Sequence, residues 1–274
     1  MKQKILLASM LLIVALATAV LAVLVSSSPA SCSGEWTTCS NAFANDANRA
    51  TAAVTATSNK SGIWNNYTFT SIPAGSTITG VVVRSDFFAS RTSGYVAVRV
   101  STDGGATYGP VHTFGGNTAE QIFQINVTTD FAWTLEKLNR TNLRVNATCF
   151  KNGSGQNPTC RLDWIPVNVT YDAPFNFAMT MNPGGKNITP GATALSNVTV
   201  SLSAGLSQNV SLTIPSGCPP DSTCVLNQTS GFPTYKAELS VATSVTTPLG
   251  TYIVNVTGTN GTLEKSTKLT VAVI

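Results

Sequence analysis

Residues 252–256 read Tyr252-Ile253-Val254-Asn255-Val256, and the order of apolar and polar side chains in them decides the fold class. With a side-chain period of two, Tyr252, Val254 and Val256 share one face of a strand and Asn255 stands on the other. Asn255 opens an Asn-X-Thr sequon, and a glycan acceptor has to reach solvent, so its face is the outer one. The same phasing recurs in Phe123-Gln124-Ile125-Asn126-Val127 and in Leu143-Arg144-Val145-Asn146-Ala147, and again around Asn168, Asn197 and Asn209.

Outward from these stretches, short alternating runs are punctuated by Gly, Pro, Asn and Ser, and none keeps a 3.6-residue apolar period. The class is all-β. Strands are expected at 63–69, 77–87, 95–101, 120–128, 142–150 and 162–171, then at 175–181, 195–203, 209–215, 235–241, 251–257 and 265–273. The Ala-rich stretch 41–56 is expected to be helical in part. Six or seven strands per half suit a β-sandwich, so two sandwich domains in tandem are expected, 31–172 and 175–274, with the joint at Asp172-Ala173-Pro174.

Composition narrows the function classes. Charged residues are 10% of the 274, against roughly 25% in an average soluble protein. Ser and Thr, 66 residues together, keep the surface wet instead. The net charge of +4 is spread over single Lys and Arg residues, so no stripe concentrates potential for a nucleic acid.

Lys2 and Lys4 precede an uncharged apolar run from Ile5 to Val25. Residues 1–30 therefore read as an export segment, outside the fold, that is either a signal peptide cleaved after Ser28-Pro29-Ala30 or an N-terminal membrane anchor. Either way the lysines stay inside and the remainder is exported, in contact with the membrane only through this segment. The destination is the cell surface or the medium. Six cysteines fall in close pairs, Cys32 with Cys39, Cys149 with Cys160 and Cys218 with Cys224, as local disulfides of an exported protein do. Such short loops are expected to pin ends and turns.

Thirteen asparagines open Asn-X-Ser/Thr sequons: Asn59, Asn66, Asn126, Asn139, Asn146, Asn152, Asn168, Asn187, Asn197, Asn209, Asn227, Asn255 and Asn260. Chance would supply roughly five or six at this Ser/Thr content. Substantial N-glycosylation is expected, on strand faces as well as loops.

Several stretches carry resemblances. Gly34-Glu35-Trp36, Asn45-Asp46-Ala47-Asn48-Arg49-Ala50, the run from Ile72 to Val81 and the closing Leu162 to Tyr171 resemble a jelly-roll-type module of uncharacterised prokaryotic surface and phage proteins. Ser101-Thr102-Asp103-Gly104-Gly105-Ala106-Thr107-Tyr108 resembles a single Asp-box hairpin, whose physics is that of a turn. Pro248 to Val256 resembles the Ig-like repeats of prokaryotic surface proteins, which implies a Tyr252 ring buried at a sandwich corner with its hydroxyl tied to backbone.

No arrangement of residues declares chemistry. A Ser-His-Asp or Cys-His site would have to use His112, the single histidine, and no GxSxG elbow exists. The twelve acids offer no spacing that selects a catalytic pair. Asp46 and Asp163 suit calcium ligands, turn caps, or partners for Arg49 and Arg161 equally well. No enzyme activity, cofactor or metal is expected. Trp164 lies out of step with Ile165, Val167 and Val169, which makes it either a candidate sugar-stacking platform or a ring packed under a loop or against the second domain. The expected function is a structural or adhesive surface glycoprotein, a filament or surface-layer-associated subunit with its own copies or other surface proteins as partners. Residues 31–56 are the expected segment to be lent to a neighbour's sheet. The alternative is a carbohydrate-binding module with glycans as partners.

Overall fold

The structure, a computed structural model, describes residues 22–274 and is all-β. Eleven strands come first: β1 (Val23–Ser27), β2 (Ser31–Gly34), β3 (Ala50–Ala53), β4 (Lys60–Asn65), β5 (Thr77–Ala89), β6 (Gly94–Ser101), β7 (His112–Gly115), β8 (Gln121–Asn126), β9 (Arg144–Lys151), β10 (Thr159–Trp164) and β11 (Val167–Asp172). Nine follow: β12 (Asn176–Asn182), β13 (Gly185–Ile188), β14 (Thr193–Ala204), β15 (Val210–Ser216), β16 (Ser222–Leu226), β17 (Ser230–Gly231), β18 (Tyr235–Thr243), β19 (Gly250–Thr259) and β20 (Glu264–Val273).

They form four sheets. The first runs β1-β11-β5-β10-β3, with β8 on the opposite edge of β5, and faces a second of order β2-β4-β9-β6-β7. The third is β12-β14-β18-β16 and the fourth β13-β20-β19-β15-β17. Strands alternate buried and exposed residues as the period-two argument requires; β9, for example, buries Val145, Ala147 and Cys149 and turns Asn146, Thr148 and Phe150 outward. One core, from Trp36 to Tyr171, fills the space between the first two sheets, and a separate core from Phe177 to Val273 fills the second pair.

Two tryptophans anchor the first core. Trp36 and Trp64 meet edge to face at 5.6 Å, and their ring N–H groups donate to the Ala147 and Cys39 carbonyls at 3.0 Å. Gly62 sits beneath them, where a Cβ would come within 2.7 Å of the Trp36 ring, so no larger residue fits. Burying both indoles with their donors satisfied contributes apolar area without a stranded polar atom.

The chain departs from the sequence reading in several places. Residues 1–30 do not all stand outside the fold. The apolar run falls on residues 5–25, of which 5–21 lie outside the described residues, but Val23–Ser27 is strand β1, antiparallel to β11 with Val25 opposite Val169. Val25 packs on the first core and Ser27 is 8% exposed, its hydroxyl accepting the Thr68 N–H at 2.8 Å, so the strand is an integral edge of the sheet. Cleavage after Ala30 would remove it. Residues 41–56 hold only a 3-10 turn, Cys39–Ala42, and then β3, because Ala50 and Ala52 are needed in the core and side-by-side β pairing with β10 buries them better than a helix would. The single strand expected at 162–171 is two. Pro166 has no N–H to donate, and the chain bends at Ile165-Pro166 so that β10 and β11 pair successive parts of the same edge of β5. Strands β2, β7, β13, β16 and β17 are short and had no clear alternation to announce them.

Candidate functional site

The sequon asparagines occupy a consistent place. None is buried: Asn59, Asn126, Asn139, Asn152, Asn187, Asn197, Asn209 and Asn227 are exposed, and Asn66, Asn146, Asn168, Asn255 and Asn260 are half-buried. Each sheet carries one on the outer face of an inner strand. Asn168 stands on β11 between buried Val167 and Val169, Asn146 on β9 between Val145 and Ala147, Asn197 on β14 before Val198, and Asn255 on β19 between Val254 and Val256. The amide nitrogens of Asn146, Asn255 and Asn260 donate to the Gly62 carbonyl, Ser216 Oγ and Gln208 Oε1. A sugar on any of these three replaces one of the amide hydrogens while leaving the other to donate.

Three disulfides join Cys32 to Cys39, Cys149 to Cys160 and Cys218 to Cys224, and the described residues hold no free cysteine. They point to folding in an oxidising, extracytoplasmic compartment. Cys149–Cys160 is more than a loop pin. Both residues are fully buried, one on β9 and the other on β10, so the bridge ties the first sheet to the second through the core.

Trp164 is not an open platform. It is half-buried, its ring N–H donates to Ser28 Oγ at 2.9 Å, and the Arg84 guanidinium covers the ring at 4.7 Å from the centroid. Tyr252 donates its hydroxyl to the Pro248 carbonyl at 3.0 Å, though the ring is half-exposed rather than buried. Asp103 holds its hairpin by accepting from the Thr107 N–H and hydroxyl and from Ser101 Oγ, while Gly104 and Gly105 take φ of 78° and 98°. These bonds, those from Thr107 above all, hold the Asp103 carboxyl far below the usual carboxylate range. His112 Nε2 lies 2.7 Å from Asp130 Oδ2.

Asp46 and Asp163 part company. Asp46 caps its own loop, accepting the Asn48 N–H at 3.0 Å. Asp163 is 2% exposed and its Oδ1 has no hydrogen-bond partner. Burial first, then the nearby Glu120 charge, pushes its carboxyl up toward the neutral form. Arg49 pairs with neither of them; it binds Glu120 at 2.7 Å and the Ala47 carbonyl at 2.7 Å. No group of three His, Cys, Asp or Glu side chains among the described residues is placed to hold a metal.

No protein-family model matches the chain, and the search of curated proteins gives no match. Among solved structures, the chain is similar to domains 4 and 5 of the S-layer protein SbsC, at 18% identity and a TM-score of 0.29, over 40% of this chain and 58% of that one. A six-domain structure of the same surface layer protein, domains 1-6, aligns over 79% of this chain and 32% of its own at 12% identity and a TM-score of 0.29. The S-layer protein rSbsC(31-844) aligns over 90% of this chain and 40% of its own at 13% identity and a TM-score of 0.28. The chain thus spans less than two thirds of each.

Beyond the residues singled out in the sequence, the outer face of the first sheet holds a cleft of about 570 Å³ lined by Asn45, Arg84, Asp86, Glu120, Gln121 and Ile122. Arg84 and Asp86, two apart on β5, share that face, and Arg84 Nε and Nη2 clamp the carboxylate at 2.7 and 2.6 Å. Asp86 is 1% exposed, and its hydrogen bonds raise the Arg84 pKa further. Ile122 stands opposite Asp86 in the β5–β8 register and is 56% exposed. The Arg84-Ser85-Asp86 pattern was legible as an outward ion pair; Asn45 and Glu120 reach it only through the fold. A second hollow, about 260 Å³, is apolar and lies between Tyr67, Phe69, Ile72, Leu135 and Leu138.

Proposed function

We propose that the chain is a structural or adhesive glycoprotein of the cell surface, built of a jelly-roll-like and an Ig-like domain. The observation that carries this reading is the presence of a sequon asparagine on the outer face of all four sheets. Each sandwich then meets water, and sugar, on both sides. Broad face-to-face association is closed to it, which leaves sheet edges and ends for contact with other copies. In this reading the Cys32–Cys39 bridge, by closing a loop inside 31–56, hampers the lending of that segment. β1 suits the part better. It is five residues long, lies at a sheet edge beside β11, and is followed by the short Ser28-Pro29-Ala30 link, so the same strand from a second copy fits the same register.

Two measurements on the native protein test the reading. Glycopeptide mass spectrometry is expected to find sugar on Asn146, Asn168, Asn197 and Asn255. Electron microscopy of isolated surface filaments or layers, with proteomics, is expected to find this chain in them. Four bare face sites, or a chain found only inside the cell, would end it. A saccharide-binding role is the second reading, favoured by the cleft over β5 and β8.

A further inference from the structure

The cleft on the outer face of β5 and β8 balances its charges almost completely. Arg84 spends two donors on Asp86 and stacks on Trp164; Arg49 spends its donors on Glu120 and the Ala47 carbonyl and lies over Phe88 at 5.1 Å; Arg161 covers the same ring at 5.4 Å. Against them stand two paired carboxylates, Asp86 and Glu120, and the buried Asp163 carboxyl, held toward its neutral form. Such a field draws neither a polyanion nor a metal ion.

Hydrogen-bonding capacity is left over all the same. Asn45 is exposed, and its side-chain amide has no partner among the described residues. Both Arg49 bonds land on Glu120 Oε2, which leaves Oε1 to accept. Ile122 adds an exposed apolar surface between these polar groups. The base of the cleft is strand β5, and Asn45 and Glu120 stand on loops beside it.

We infer that this cleft binds a neutral saccharide, with the planar Asn45 amide and the free Glu120 carboxylate oxygen bridging neighbouring hydroxyls and Ile122 under an apolar sugar face. Polyols need this mixture of donors, acceptors and a modest apolar rest, and gain nothing from net charge. The site is also beside a supply of sugar. Asn126 and Asn168 both stand opposite Val82, one on each side of β5 and two residues from Arg84, yet no sequon asparagine lines the cleft. The ligand is therefore either an N-glycan of this protein or a separate polysaccharide of the same chemistry. The inference deepens the second reading of function and is independent of self-assembly.

The test is calorimetric titration of the full chain, and of an Asn126→Gln/Asn168→Gln variant, with mannotriose, maltohexaose and chitotriose, and with a heparin hexasaccharide as the charged comparison. At least one neutral sugar is expected to bind, the heparin fragment not to. Asn45→Ala and Ile122→Ser, both on exposed residues, are each expected to weaken binding about tenfold with an unchanged melting temperature. Tighter binding by the Asn126→Gln/Asn168→Gln variant than by the parent assigns the cleft to the protein's own glycans; equal affinity assigns it to a separate saccharide. Neutral sugar bound equally well by the Asn45 and Ile122 variants would overturn the cleft while leaving saccharide binding elsewhere on the chain intact. No binding by either form, or preference for heparin, would overturn both.

Discussion

Arg84 and Asp86 illustrate how a residue pair can be forced by a strand. Two apart on β5, they must point to the same side, and Asp86, at 1% exposure, has to be neutralised where it stands. Arg84→Met strands that carboxylate and is expected to cost about 3 kcal/mol in a urea titration, the low end for a broken buried pair because Arg84 itself reaches solvent. Arg84→Met combined with Asp86→Leu is expected to recover most of the loss; a double variant as unstable as the single one would refute the argument. Asp163 titrates in the opposite sense to Asp103. Burial raises the Asp163 pKa, so the unfolded chain gives up its proton first, and stability is lost as pH climbs from the unfolded value, about 3.9, through the folded one. Asp163→Asn removes that loss, and its advantage over the parent is expected to widen as pH rises above about 4; a constant offset would contradict it. Asp103, held low by Thr107, contributes stability above its unfolded pKa that disappears as acid is added.

Among the elements, β1 is an edge of the first sheet. Among the described residues its main-chain bonds go to β11 alone, Val25 seats it on the core, and buried Ser27 accepts the Thr68 N–H. Val25→Asp is expected to free the strand and speed hydrogen exchange on β11 while β5 and β9 stay protected, since their pairing does not depend on it. Uniform exchange across all four strands would show that the edge is not a separable unit. The Cys149–Cys160 bridge belongs to the same scale. Replacing both cysteines with serine is expected to lower stability by about 3 kcal/mol from the unfolded-chain entropy of an 11-residue loop. Two hydroxyls left in a fully buried place add to that.

For the whole molecule, the proposed role of the four face sequons is to limit what the surface can touch. Removing the acceptors together, Asn146, Asn168, Asn197 and Asn255 to Gln, is expected to leave the fold intact and to cause concentration-dependent association, followed by light scattering, as bare sheet faces meet. The same number of loop sequons removed, at Asn59, Asn152, Asn187 and Asn227, is expected to have little effect. Equal behaviour of the two sets would mean that the face positions have no special role.

The amino-acid sequence by itself determined the all-β class and the direction of most strands, because a period of two is a local property and a one-residue slip would bury Asn146 or Asn255. It also determined which asparagines stand outward, for the same reason. Three things came only with the tertiary structure. Val23–Ser27 reads as the end of an apolar run, and nothing short of β11 lying alongside makes it a strand. Cys149 and Cys160 read as a local pair, and only the packing of two sheets puts their bond at the centre of a core. Asn45, Glu120 and Gln121 lie 34 to 41 residues from the Arg84–Asp86 pair in the chain, and meet it because β8 and the loop before β3 flank β5 in space. Alternation along a strand is written in neighbours; what lies beside that strand depends on contacts that no neighbour encodes.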